Sequence, residues 1–143
     1  MWPLIDGHHI EFIGEIDEQQ KSTFLGNALA LLFPISWPEP FGLVMVEAMA
    51  CATPVIAFPC GSVPEVVDDG ITGFVVDAEH ALSGIDEISK LERRQIRARF
   101  EQRFTARRMA RDYIRIYEML LQSSAMQQQT RADESAAFGA RRV

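Results

Sequence analysis

Two short apolar runs constrain this fold more than any other feature. LALLFPI (29–35) and TPVIAFP (53–59) carry no polar alternation. A strand with one wet face alternates, so a continuous run of this length fits a strand covered on both faces, as in parallel sheets. Helical patterns separate the runs. Asp17 can cap the segment EQQKSTFLGNA, with Gln20 at the capping-box position. FGLVMVEAMACA (41–52) reads as a helix, because Pro40 is tolerated only at its start. SVPEVVDDG opens with a Ser-x-x-Glu box, Ser62 to Glu65, around a short helix. Asp69-Gly70 is a turn and GFVVD a third strand. HIEFIGEI (9–16) alternates into a further strand, with Ile10, Phe12 and Ile16 on one face. Strands alternating with helices predict an α/β fold on a parallel sheet.

From Ala78 the pattern is helical to about Gln122. TARRMARDYIRIYEMLLQ gathers Met109, Tyr113, Ile116, Tyr117, Leu120 and Leu121 on one face, with Thr105 as N-cap. Residues 123–143 lose periodicity and apolar content and are expected to be a disordered tail.

Composition excludes several classes. The 143 residues, 48% apolar and 24% charged, suit one soluble domain. The longest apolar run is too short to span a bilayer and contains Glu47, which predicts no membrane span. The N-terminus lacks the basic and apolar regions of a secretory leader, so a cytoplasmic location is expected. Cys51 and Cys60 lie in apolar context without CxxC spacing and are expected to be free buried thiols. The net charge of −6 hides an asymmetry: residues 1–91 carry −12 and residues 92–115, with nine arginines, carry +6. An arginine-rich helical arm suits nucleic acid, a membrane surface or an acidic protein face. No RNA-binding or helix-turn-helix pattern accompanies it, so nucleic acid is not expected as a partner.

In open parallel sheets, ligands bind beyond the carboxyl ends of the strands. The loop SWPEP after the first apolar run falls there and carries Glu39, held between Pro38 and Pro40. The helix is expected to start near Phe41, with the amides of Phe41, Gly42 and Leu43 lacking intrahelical partners. With the helix dipole they make an anion site suited to a diphosphate. Gly42 would let a ligand approach the backbone closely. Glu47 lies over one turn further in, at a depth where a buried carboxylate needs several donors. A ribose 2′,3′-diol supplies two. A phosphate-binding helix start between two hydroxyl-reading carboxylates fits a nucleotide sugar. The plainer alternative stays open on spacing alone: Glu39 as a solvated loop residue and Glu47 as a cap for an internal amide.

Glu39 and Glu47, in WPEPFGLVMVEAMA, resemble the E-x7-E motif of retaining GT-B glycosyltransferases, family four in particular. The likeness continues through EAMACATPVIAFPCGSVPEVVDDGITGFVVD and covers about residues 4–122. It implies a Rossmann-like parallel sheet, the partial C-terminal, donor-binding domain of the GT-B fold, over residues 1–104. A C-terminal helical arm that crosses back to the other domain would follow over 105–122. It implies that Glu39 serves catalysis by hydrogen-bonding donor-sugar hydroxyls. The Phe41, Gly42 and Leu43 amides would hold the sugar or diphosphate, and Glu47 the nucleotide ribose. The CGSVPE loop would shape the pocket, although the capping box already accounts for Glu65. The donor would be a nucleotide-diphosphate sugar, with no metal or cofactor and an acceptor that the motif does not specify.

The sequence departs from the family at two positions. Ala52 stands where Gly is usual, expected to be a mild steric change, and Cys60 where relatives often carry Arg. His8 and His9 match no catalytic motif. The family's N-terminal acceptor domain has no counterpart here, nor has the Arg–Lys pair that neutralises the leaving diphosphate; Lys21 lies on a different element. The resemblance therefore implies a fragment, or an enzyme completed by a separately encoded N-terminal half. A non-catalytic nucleotide-sugar-binding remnant is the alternative. A sugar-nucleotide epimerase shares the architecture but not the E-x7-E context.

Overall fold

The computed structural model describes residues 4–140, without side chains at 129 and 131–140. Elements follow in the order α1 (Glu18–Asn27), β1 (Leu31–Phe33), α2 (Leu43–Ala50), β2 (Val55–Ala57), α3 (Val63–Val66), β3 (Gly73–Val75), α4 (Ala81–Glu87), a 3₁₀ turn (Ile88–Lys90), α5 (Arg93–Arg103) and α6 (Ala106–Ala140). The three strands form one parallel sheet in the order β1-β2-β3. Leu31, Leu32 and Phe33 pair with Val55, Ile56 and Ala57, which pair in turn with Gly73, Phe74 and Val75. This is the α/β parallel sheet expected, consistent with a Rossmann-like GT-B domain. The chain divides into two compact units, residues 1–101 and 102–143.

The core of the first unit sits on β2, whose three residues are all buried. Met45, Ala48 and Met49 of α2, Val63 and Val66 of α3, Val67, Ile88 and Ile96 complete it. β1 departs from the expectation of two covered faces. Leu31 and Phe33 are half-buried, but Leu32, on the opposite face of the pleat, is 57% exposed. Its apolar run marks a sheet edge, where one face lacks a covering layer.

Residues 9–16 do not form a strand. A strand exists through its ladder, and the only strand-to-strand pairings among the described residues are β1–β2 and β2–β3. Upstream, the Asp6 carboxylate accepts from the amides of His8, His9 and Ile10 and closes a turn instead. Those bonds, the Ile10 amide foremost, together with His9, hold Asp6 well below the usual carboxylate range. Ile10 and Phe12 are exposed and Ile16 half-buried.

α1 is capped as its sequence predicts, with Asp17 Oδ1 accepting from the Gln20 amide at 2.7 Å. The Ser62–Glu65 capping box does not form. Ser62 already has helical backbone angles, φ −75° and ψ −10°, whereas a capping side chain works from an extended residue. Its Oγ is buried, with no hydrogen-bond partner among the described residues.

In the second unit Thr105 caps α6 as expected, with Oγ1 accepting from the Arg108 amide at 3.3 Å and its carbonyl from Met109. Met109, Tyr113, Ile116, Tyr117, Leu120 and Leu121 are exposed. The helix runs past Gln122 to Ala140, through residues expected to be a disordered tail. Loss of an apolar stripe removes a packing face, while Gln and Ala remain good helix formers. Residues 141–143 of that tail lie outside the described residues.

Candidate functional site

The loop between β1 and α2, with the first residue of the helix, brings four of the five candidate residues together. Glu39 is clamped through its backbone. Its amide donates to the Trp37 carbonyl at 2.8 Å, and its carbonyl accepts from the Ser62 amide at 2.9 Å. Gly61 makes this approach possible. It has φ +56°, and a Cβ there would overlap the backbone N and O of Glu39. Cys60 adds a thiol-to-carbonyl contact with Trp37 at 3.0 Å. The loop SWPEP is therefore seated on the CGSV segment that follows β2.

The Glu39 side chain turns back onto the helix. Oε1 accepts from the Gly42 amide at 3.0 Å and Oε2 from the Trp37 indole at 3.3 Å. Gly42 is left-handed, φ +70°, and serves as N-cap, so α2 begins at Leu43 rather than near Phe41. The spacing predicts a free Gly42 amide; the Glu39 carboxylate occupies it. The first-turn amides of α2 that lack an intrahelical carbonyl start at Leu43 and Val44. Phe41 and Leu43 flank the left-handed turn with exposed side chains.

Glu47 is the fifth residue of α2, about 6 Å along the axis from Leu43. It was expected to be buried among several donors, yet its side chain is 37% exposed. Its described partner is Lys21 of α1, whose Nζ donates to Oε1 at 2.9 Å and to Glu18 Oε1 at 2.6 Å. The bond to Glu18, then that to Glu47, raises the Lys21 pKa. Lys21 lies on a different element from Glu47, and no local signal links residues 26 positions apart. What joins them is the packing of α1 on α2, fixed from two sides. Thr53 Oγ1 donates to the Leu25 carbonyl at 2.6 Å. Arg93 of α5 donates to the carbonyls of Gly26 and Ala28 and to Thr53 Oγ1.

Arg97 donates to the Ala50 carbonyl, and Arg99 meets Asp68 at 3.5 Å. Arg93, Arg97 and Arg99 of the basic segment thus bond within the first unit. At its far end α2 closes with the amide of Ala52 on the Met49 carbonyl and that of Thr53 on the Ala48 carbonyl. This double bond pattern requires a left-handed residue after the C-cap, and Ala52 adopts it at φ +60°. The Gly-to-Ala departure there is a backbone strain rather than a mild steric change. Cys51 and Cys60 are free, but half-buried rather than buried.

His9 Nδ1 pairs with Asp6 at 2.8 Å on an exposed surface. Among the described residues no group of three His, Cys, Asp or Glu is placed to hold a metal, and no helix is long and apolar enough to cross a membrane.

Residues 5–109 match the family model described as Glycosyl transferases group 1. The chain is 34% identical over 88 residues to a phosphatidyl-myo-inositol mannosyltransferase of Mycobacterium leprae, an alignment covering 62% of this chain and 24% of that protein. It is 34% identical over 92 residues to an N-acetyl-alpha-D-glucosaminyl L-malate synthase of Bacillus anthracis, covering 62% and 23%. With a D-inositol 3-phosphate glycosyltransferase of Mycolicibacterium smegmatis it shares 46% identity over 56 residues, covering 39% and 13%. The chain thus spans no more than about a quarter of the length of these curated relatives. The family match takes in the sheet, the clamped Glu39 loop and the whole of α2, and the chain belongs to the glycosyl transferases group 1 family.

Proposed function

We propose that this chain is the donor-binding part of a retaining glycosyltransferase that uses a nucleotide-diphosphate sugar. The observation that supports this most is Glu39: a carboxylate fixed through its own backbone and aimed at the left-handed turn that starts α2. In this reading the Leu43 and Val44 amides and the α2 dipole receive the diphosphate. Glu39 keeps the Gly42 amide and exchanges its longer contact with Trp37 for a hydroxyl of the donor sugar. Phe41 and Leu43 wall the mouth, and Glu47 accepts from the ribose. As the bond between the anomeric carbon and the diphosphate breaks, negative charge gathers on the leaving group, where the helix amides offset part of it. The acceptor side, and a basic pair for the remaining charge, would come from a separate N-terminal half. No resident metal or cofactor is required.

Calorimetry of the folded chain against UDP-, GDP- and ADP-sugars tests this. Glu47→Ala is expected to weaken sugar nucleotide and bare nucleotide alike, by about tenfold. Glu39→Ala is expected to weaken the sugar nucleotide selectively. Absence of binding, or binding indifferent to both substitutions, would overturn the proposal.

A second reading, a nucleotide-sugar-binding module without turnover, is favoured by where the cations lie. Lys21 is committed to Glu18 and Glu47, and Arg93, Arg97 and Arg99 bond to carbonyls or Asp68. Donor hydrolysis or transfer by the isolated chain, abolished by Glu39→Ala, would reject this second reading.

A further inference from the structure

Glu47 presents its two carboxylate oxygens unequally. Oε1 accepts from Lys21 Nζ at 2.9 Å, and among the described residues no donor reaches Oε2. Lys21 is itself restrained, since its ammonium bridges to Glu18 at 2.6 Å. The side chain is half-buried, with 27% relative exposure. The helix that carries it is tied down by Thr53 and Arg93 through the carbonyls of Leu25, Gly26 and Ala28. The bond to Glu18, then that to Glu47, raises the Lys21 pKa, and the ammonium is charged at neutral pH, as a lysine ordinarily is. A charge-assisted bond of this kind is not readily given up to a neutral hydroxyl.

We infer that Lys21 is a positioning residue that holds one oxygen of Glu47 and leaves the other to read a single ribose hydroxyl. This rests on the role proposed above for Glu47 and narrows it. The spacing predicts a vicinal diol read by both oxygens; with Oε1 engaged by the Lys21 ammonium, Oε2 is the oxygen that no described donor occupies. The relay Glu18–Lys21–Glu47 then sets which hydroxyl is recognised, through the rotamer it imposes on Glu47.

A ligand cycle tests this on the full chain. The probes are the tightest-binding of UDP, GDP and ADP, together with its 2′-deoxy and 3′-deoxy forms, titrated by calorimetry. The wild-type chain is expected to lose about tenfold in affinity with one deoxy form and little with the other. Lys21→Met is expected to level that ratio, as Glu47→Ala does, whereas Lys21→Arg retains most of it. A lysine that only supported the fold would change all three affinities together and leave the ratio intact. If the wild type discriminates and Lys21→Met keeps the same ratio, the inference is overturned and the role of Glu47 stands. Equal tenfold losses with both deoxy forms also overturn it, since Glu47 would then read both hydroxyls. If the wild type discriminates against neither form, the role of Glu47 fails and the inference fails with it. Lys21 is on a surface helix, and circular dichroism of each variant confirms that the folded chain is being compared.

Discussion

The two halves of α2 are held by different means. At its start, the Glu39 carbonyl is locked to the Ser62 amide, Gly61 fits under the same peptide, and the Glu39 carboxylate closes onto the Gly42 amide. These contacts are short in range and largely backbone. In the second half the restraints are long side chains reaching in from other helices: Lys21 to Glu47, and Arg97 to the Ala50 carbonyl. The helix then ends on a strained Ala52. A backbone clamp has little rotamer entropy to lose and fixes a group closely; a lysine bridge gives up several rotamers when it forms. The difference matches what each carboxylate is proposed to do. Glu39 must stand still beside a reacting sugar, while Glu47 has only to accept a hydroxyl.

Substitutions on the two sides break or sharpen this contrast. Gly61→Ala should have the largest effect. It places a methyl group against the Glu39 peptide and imposes a left-handed backbone on alanine, at about 2–5 kcal/mol. Chemical denaturation measures the loss, and a change within error would show that the clamp is looser than its geometry. Ala52→Gly acts on the other end with the opposite sign. Relief of the left-handed alanine should raise stability by about 1 kcal/mol, read as a higher denaturation midpoint.

The smallest effect is expected at Lys21. Its pair with Glu47 is more than a quarter exposed at both ends, so Lys21→Met should barely move the melting temperature near neutral pH. That small contribution is revealed by its loss in alkali. The bonds to Glu18 and Glu47 raise the folded-state pKa above 10.5, so the folded chain holds this proton more tightly than the unfolded one. The contribution is fully present below about 10.5 and is lost as the pH rises through the raised value. Lys21→Met should remove that part of the alkaline slope, seen as a gap between wild type and variant that closes as the pH climbs.

What the sequence disclosed was set by how local the chemistry is. The Asp17 cap, the Thr105 cap and the runs that became β2 and β3 are settled within a few residues, and they appear where the pattern puts them. The start of α2 was misplaced because the Glu39 carboxylate and left-handed Gly42 delay the helix to Leu43, which spacing alone does not show. The Ser62 box failed because a capping sequence does not fix the backbone angles of its first residue. Residues 9–16 have a strand's alternation but no described ladder partner, and pairing is not a property of one segment. The meeting of Lys21 with Glu47 depends on how α1 packs on α2, which no local pattern shows.

The proposed donor site at the start of α2 is most directly tested by following the backbone amides of the labelled chain in nuclear magnetic resonance spectra during titration with a nucleoside diphosphate. The amides of Gly42, Leu43 and Val44 should shift most, followed by those around Glu47, and Glu47→Ala should weaken the titration without moving its centre. There is a competing location on the surface: an open cleft of about 740 Å³ lined by Ile13, Glu15, Ile16, Gln20, Phe24 and Asn27, among others. Shifts centred on that cleft, with Leu43 and Val44 unmoved, would contradict the account.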